Sequence, residues 1–216
     1  MEYEIRFYYS KSEYEKIIDL LKGINRLHSN LRLYEKTMQY NHSDDKYDFY
    51  TKEMDGRFRL RMSMNELNTK CKLSWKQKLP ESADNKVNAW LEKEVRMNPE
   101  DFDDFAYIIE NIMHFKLVRS YERYRIIFEN NDIKIAVDEY PFGLCLEIEN
   151  KSRDKDPYEV IEYWTNLIGL NANDAYKLSW SDKYEELCKE QGIKCYKEVS
   201  FDKEMPEVKN EFITKK

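Results

Sequence analysis

Histidine, glycine and proline are scarce in this 216-residue chain, at three, five and five residues, and its four cysteines form no Cys-x-x-Cys pair. Each shortage excludes something. Three His and the scattered Cys71, Cys145, Cys188 and Cys195 leave no ligand set for a structural zinc site. Cys71 and Cys145 fall in strand-like runs, where a thiol behaves as a small hydrophobe. No apolar run approaches the roughly 20 residues that span a bilayer, and the N-terminus lacks the basic-then-apolar layout of a secretion signal. The expectation is a cytoplasmic protein with no membrane partner. With 42 acidic against 36 basic residues the net charge is -6, so no broadly basic surface points to DNA. No Gly/Ser-rich or Pro-rich linker divides the chain, which reads as one domain over residues 1–192. Residues 193–216 are Lys/Glu-rich and aperiodic, and are expected to be loosely held.

What is present is aromatic and alternating. Seventeen Tyr and ten Phe supply enough apolar surface for a core despite the 36% of charged residues. Period-two alternation recurs in about eight or nine segments, from Glu2–Tyr9 through LRLYEKTMQYNH, RFRLRMSM and LVRSYERYRIIFE to IKIAVDE and LCLEIEN, enough to close a sheet into a barrel. Four stretches predict helices. SKSEYEKIIDLLKGI opens on a Ser-x-x-Glu-like cap, and NPEDFDDFAYIIENIM has Asn98 and Pro99 at its start. DPYEVIEYWTNLIGL opens on Asp156 and Pro157, and SWSDKYEELCKEQG closes at Gly192.

The charges sort by strand. Arg57, Arg59 and Arg61 oppose Phe58, Leu60 and Met62; Lys72, Ser74, Lys76 and Lys78 oppose Leu73, Trp75 and Leu79. Glu92 and Glu94 share one face, as do Arg119, Arg123 and Arg125, Lys134 and Asp138, and Glu147 and Glu149. The first strand carries Glu2, Glu4 and Arg6 between Tyr3, Ile5 and Phe7. A single such row is usually a solvated outer face. Several rows of three or four like charges are different: they need water, a counter-charge or an ion, because an unpaired buried ion costs several kcal/mol. If the sheet closes, all these faces can share one wet tunnel while the apolar faces pack outward on helices. Carboxylate pairs suit Mg²⁺ or Mn²⁺, and rows of Arg and Lys suit a chain of phosphates. Tyr34, Tyr40, Tyr47 and Tyr50 could stack on a base but read more simply as strand packing, and Lys183 as a surface charge at a helix start.

In strand order these motifs resemble the CYTH, or triphosphate tunnel metalloenzyme, family. Glu2-x-Glu4-x-Arg6 is similar to the family's first-strand Glu-x-Glu-x-Lys, and Arg59-Leu-Arg61 to its Arg-x-Arg strand. Leu73-Ser-Trp-Lys76 resembles the family's Leu-x-x-Lys, Glu92-Lys-Glu94 its mid-chain Glu-x-Glu, and Arg119 through Arg125 its late basic strand. Asp138 followed by Glu147 and Glu149 resembles the closing motif. Arg6 stands where the family usually has Lys, which exchanges a point donor for a planar fork.

The resemblance implies an α+β fold: an eight-stranded antiparallel tunnel, or closed barrel, with helices outside. It further implies Mg²⁺ or Mn²⁺ held by Glu2, Glu4, Glu147 and Glu149, with Glu92, Glu94 and Asp138 supporting a second ion or the attacking water. Arg6, Arg57, Arg59, Arg61, Lys76, Lys78, Arg123, Arg125 and Lys134 would bind phosphates. The partner would be a triphosphate-bearing small molecule or an RNA 5′ end, and a monomer or a homodimer both fit. Hydrolysis of the terminal phosphate is the leading expectation. A class IV adenylate cyclase, and a non-catalytic phosphate-binding module, are the alternatives.

Overall fold

A computed structural model describes residues 2–51, 53–79 and 87–213. In chain order these form β1 (Glu2–Tyr9), α1 (Tyr14–Lys22), β2 (His28–Ser29), β3 (Leu33–Asn41), β4 (Gly56–Met64), β5 (Thr69–Lys78) and β6 (Asn88–Met97). There follow α2 (Phe102–Tyr107), β7 (Lys116–Glu129), β8 (Ile133–Tyr140), β9 (Gly143–Asn150), α3 (Pro157–Leu167), α4 (Trp180–Gln191) and β10 (Glu198–Val199).

Eight strands close on themselves in the order β7-β3-β4-β5-β6-β1-β9-β8, and β8 returns to β7; every pairing in the ring is antiparallel. The expected closed barrel with helices outside is the fold. Closure leaves no long sheet edge, and β2 and β10 are short additions along β7.

Strand parity then decides which residues meet. Ile5, Phe7 and Tyr9 point outward from β1 and pack with Ile17, Ile18 and Leu21 of α1 and Val160, Ile161 and Trp164 of α3. Val137, Leu146 and Ile148 of β8 and β9 join them. On the far side Phe102 and Ile109 of the α2 segment cover Tyr40, Leu60 and Cys71. The core therefore lies between barrel and helices, and the lumen keeps the charges. At about 25 cal/mol per Å² of apolar surface removed from water, this outer shell supplies the drive that a charged lumen cannot.

The caps follow the local chemistry. Asp156 accepts from the backbone N–H groups of Tyr158 and Glu159, and Ser179 with Asp182 makes a reciprocal capping box at α4. Gly192 ends α4 in the left-handed region at φ 67°. The helix expected over residues 98–113 differs. Asn98 makes no side-chain cap, and after Tyr107 the coil widens to a π-turn over Ile108–Ile112, with Met113 N–H donating to Ile108 O at 2.9 Å.

The expectation of a loose C-terminal tail does not hold for residues 193–213. Val199, Val208 and Phe212 are buried, Val208 N–H donates to Phe142 O and Ser10 N–H to Asn210 O, each at 2.8 Å. Phe212 meets Tyr9 edge-on with ring centroids 5.1 Å apart. The anchors are three isolated apolar residues in an irregular strap, which leaves no period to read. Phe212→Ala should cost about 3–5 kcal/mol of unfolding free energy by urea titration. A loss below about 1 kcal/mol would return the segment to a loose tail.

Candidate active site

The lumen of the barrel holds a cavity of about 300 Å³ lined by nine cationic and five carboxylate side chains. For a chain of net charge -6 that excess of positive charge is local and directed. Of the residues expected from the sequence, Glu2, Arg6, Arg57, Arg59, Arg61, Lys76, Glu92, Glu94, Arg123, Arg125, Lys134, Glu147 and Glu149 all line it. Antiparallel register brings them side by side: Glu4 opposite Glu149, Arg6 opposite Glu147, Arg57 opposite Lys76, and Lys76 opposite Glu92.

One wall is acidic. Carboxylate oxygens of Glu2, Glu4 and Glu149 lie within 4.8 Å of one another, the one group of clustered metal-type ligands among the described residues. Glu4 is fully buried, ion-paired with Arg6 and 3.2 Å from Lys76 Nζ. Lys76 also reaches Glu2 Oε2 at 2.5 Å, and Lys134 pairs with Glu149. Burial and the neighbouring Glu2 carboxylate outweigh Lys134 and push Glu149 up to about 8. At Glu2 the balance reverses: Lys76 and Lys134 overcome burial and hold it down at about 2. Glu2 Oε2 is buried, and beyond its ion contact with Lys76 it accepts no well-aligned hydrogen bond. Crowded carboxylates, all hard oxygen donors and one with acceptor capacity to spare, fit a hard divalent ion such as Mg²⁺ or Mn²⁺. Glu147, expected with them, is placed 3.2 Å from Arg125 and 3.6 Å from Arg6.

The opposite wall is basic. Arg61 donates to Thr37 Oγ1 at 2.9 Å and to the Tyr121 hydroxyl at 3.0 Å, and its nearest carboxylate, Glu35, is 3.8 Å away. Arg57 pairs with Asp55, and Tyr50 packs under its guanidinium at 5.0 Å. Tyr50 is thus the residue of the four tyrosines singled out that reaches this wall, whereas Tyr40 is buried outside the barrel. Arg59 donates to Gln39 Oε1 at 3.3 Å and makes no ion pair with a carboxylate among the described residues. Lys72 is paired with Glu94, and burial with the neighbouring Glu2 raises Glu92 above the usual carboxylate range.

Packing changes two expectations. Asp138, expected to support an ion or a water, is fully buried, does not line the cavity, and spends both oxygens on arginines. Its Oδ1 accepts from Arg125 Nε at 2.5 Å, and its Oδ2 accepts from Arg123 Nη1 at 2.8 Å and Arg125 Nη2 at 2.6 Å. It positions those guanidinium groups. Lys78 sits beyond the lining residues, opposite Trp90. Lys183 lies outside the lumen, over the Tyr176 ring.

Residues not anticipated complete the site. Glu35 holds Arg123 at 2.6 Å and accepts from Ser63 Oγ at 2.7 Å. Tyr121 and Tyr140 line one end, where Trp180 at the start of α4 packs across both, with centroids 4.3 and 5.8 Å away. The segment before α4 is tied to β1 by Tyr176 N–H donating to Arg6 O at 2.8 Å.

A closed eight-stranded barrel thus encloses a tunnel lined by side chains of both charges, with the positive ones in excess. No protein-family model and no curated protein matches the sequence. Solved structures do. A protein of Pyrococcus horikoshii matches at 21% identity and TM-score 0.68, covering 86% of this chain and 99% of its own. A candidate adenylate cyclase from Vibrio parahaemolyticus matches at 15% identity and TM-score 0.60, over 83% of this chain and 96% of that one. A candidate adenylyl cyclase from Hippeastrum, described as having a dominant triphosphatase activity, matches at 15% identity and TM-score 0.56, over 90% and 98%. At such identities the likeness is one of fold.

Proposed function

We propose that this protein is a divalent-metal-dependent phosphohydrolase that removes the terminal phosphate of a triphosphate compound. The observation that carries the reading is the pairing, in one enclosed lumen, of three clustered carboxylates with an arginine wall in which Arg59 has no carboxylate partner among the described residues. Glu2, Glu4 and Glu149 would hold Mg²⁺ or Mn²⁺, which when bound supplies positive charge against phosphate oxygens and acidifies a water. Arg57, Arg59, Arg61 and Arg123 bind the phosphates and offset the charge that grows on them in the transition state. Arg125 and Arg6, fixed by Asp138, Glu147 and Glu4, meet the chain nearer the carboxylates. Glu92, held above the usual carboxylate range, is suited to orient an attacking water and take its proton.

Cyclisation of ATP is the second reading, supported by the likeness to the Vibrio structure. Lys76 Nζ lies 4.9 Å from the centre of the Trp90 ring and covers one face of this indole beside the carboxylates, so less aromatic surface is open to a base there, which supports hydrolysis as the first reading. Incubation with inorganic triphosphate, ATP, thiamine triphosphate and an RNA 5′-triphosphate in Mg²⁺ or Mn²⁺, followed by product separation, tests the proposal. Orthophosphate is expected. Cyclic AMP with pyrophosphate and no orthophosphate would replace hydrolysis with cyclisation.

Arg59→Ala gives a sharper check. Removing a cation that has no carboxylate partner should leave stability unchanged or raised, because its burial and the repulsion from Arg61 and Arg57 outweigh the attraction of Tyr121. Affinity for inorganic triphosphate should fall about tenfold to a hundredfold, the worth of a charge-assisted contact. A destabilised variant with unchanged affinity would contradict the assignment.

A further inference from the structure

Tyr121 is a buried phenol set against the arginine wall of the lumen. It is 2% exposed, lines the cavity, and its hydroxyl accepts from Arg61 Nη2 at 3.0 Å. Around it stand Arg59 and Arg61 of β4, Arg123 two residues along β7, Thr37 of β3 and Tyr140 of β8, with the uncharged Trp180 of α4 against its ring. The carboxylates on this side of the lumen are engaged by other groups: the Glu35 oxygens by Arg123 and Ser63, and those of Asp138 by Arg123 and Arg125. Arg59, which has no ion pair of its own, is stabilised chiefly by this neighbour.

Resting on the reading of the lumen as a polyphosphate site, we propose that Tyr121 is its resident anion: the phenolate stands in for a phosphate oxygen among Arg59, Arg61 and Arg123 and takes up a proton when a phosphate chain replaces it. The exchange balances. One proton enters from solvent onto the phenol oxygen, the phosphate takes over the guanidinium charge, and the neutral hydroxyl becomes a donor to the bound anion or to Thr37. Burial alone would push this phenol up, but Arg61, Arg59 and Arg123 outweigh it and bring it down to about 7. Tyr140 beside it is pushed up by burial and stays neutral. The arrangement lets a wall of like charges persist without substrate, and it couples anion binding to pH.

Two readouts test this without turnover. The first is absorbance near 295 nm of metal-free protein titrated from pH 6 to 9, in wild type and in Tyr121→Phe, which keeps the ring that packs on Trp180. One tyrosine should ionise near pH 7 in the wild type and not in the variant, and inorganic tripolyphosphate should remove that absorbance at pH 8. The second is calorimetric binding of tripolyphosphate at pH 8 in buffers of different ionisation enthalpy. Wild type should take up close to one proton more than Tyr121→Phe, and above pH 7 its affinity should weaken about tenfold per pH unit relative to the variant. Equal proton uptake by the two proteins, with tripolyphosphate still bound, would overturn the role of Tyr121 alone. Absence of tripolyphosphate binding by the wild type at every pH would overturn both this role and the polyphosphate reading beneath it.

Discussion

Glu4→Gln should reduce metal-dependent phosphate release on the order of a thousandfold, as loss of a central electrostatic contact in a buried site does. Glu4 is fully buried, and its two oxygens hold Arg6 and Lys76 while clustering with Glu2 and Glu149. The amide keeps the shape but removes the charge that a divalent ion needs, and its nitrogen would face the cations. Affinity for tripolyphosphate in the absence of metal should be kept or improved, because the lumen gains net positive charge. That combination separates the enzyme from a phosphate-binding module: a module would have no metal-dependent release to lose. Retention of the wild-type rate in Mg²⁺ or Mn²⁺ would remove Glu4 from the metal site.

The second large effect is on stability. Asp138→Asn would leave the Arg123 and Arg125 guanidinium groups buried in the barrel wall without their shared counter-charge. Removing one partner of a buried ionic network costs about 3–5 kcal/mol, because the remaining charge keeps its desolvation penalty. Urea unfolding should show a loss of that size, and saturating tripolyphosphate should restore part of it by binding only the folded state. A loss under about 1 kcal/mol would mean that Glu35 and Glu147 suffice to hold the two arginines. Arg59→Ala, with no carboxylate to strand, is the opposite case, and the contrast between the two variants follows from which cations have partners.

The barrel and most of its lumen were legible because β-strands alternate with period two, so a row such as Arg57, Arg59 and Arg61 declares a common face by its spacing alone. Several such rows required a shared polar space, and closure of the sheet supplied it. Glu35 was not legible: on β3 it shares its face with Thr37 and Gln39, a set that looks like any wet strand. Tyr121 falls on the same parity as Arg119, Arg123 and Arg125, which was a usable signal, but a tyrosine in a strand ordinarily means packing. Asp138 was placed on the lumen-side parity, but parity cannot reveal that two arginines from the neighbouring strand engage both its oxygens. The tail escaped because Val199, Val208 and Phe212 obey no period. The π-turn after α2 escaped because Ile108, Ile109 and Ile112 fit an ordinary helix equally well.

The acidic and basic walls together are held to form a single metal and triphosphate site. A crystal of the protein grown with Mn²⁺ and inorganic tripolyphosphate, with anomalous scattering recorded for manganese, tests that claim most directly. The expected map has manganese bound by Glu2, Glu4 and Glu149, and phosphates running from it to Arg59 and Arg61. Manganese elsewhere on the protein, or phosphate bound outside the lumen with the lumen holding neither, would contradict it.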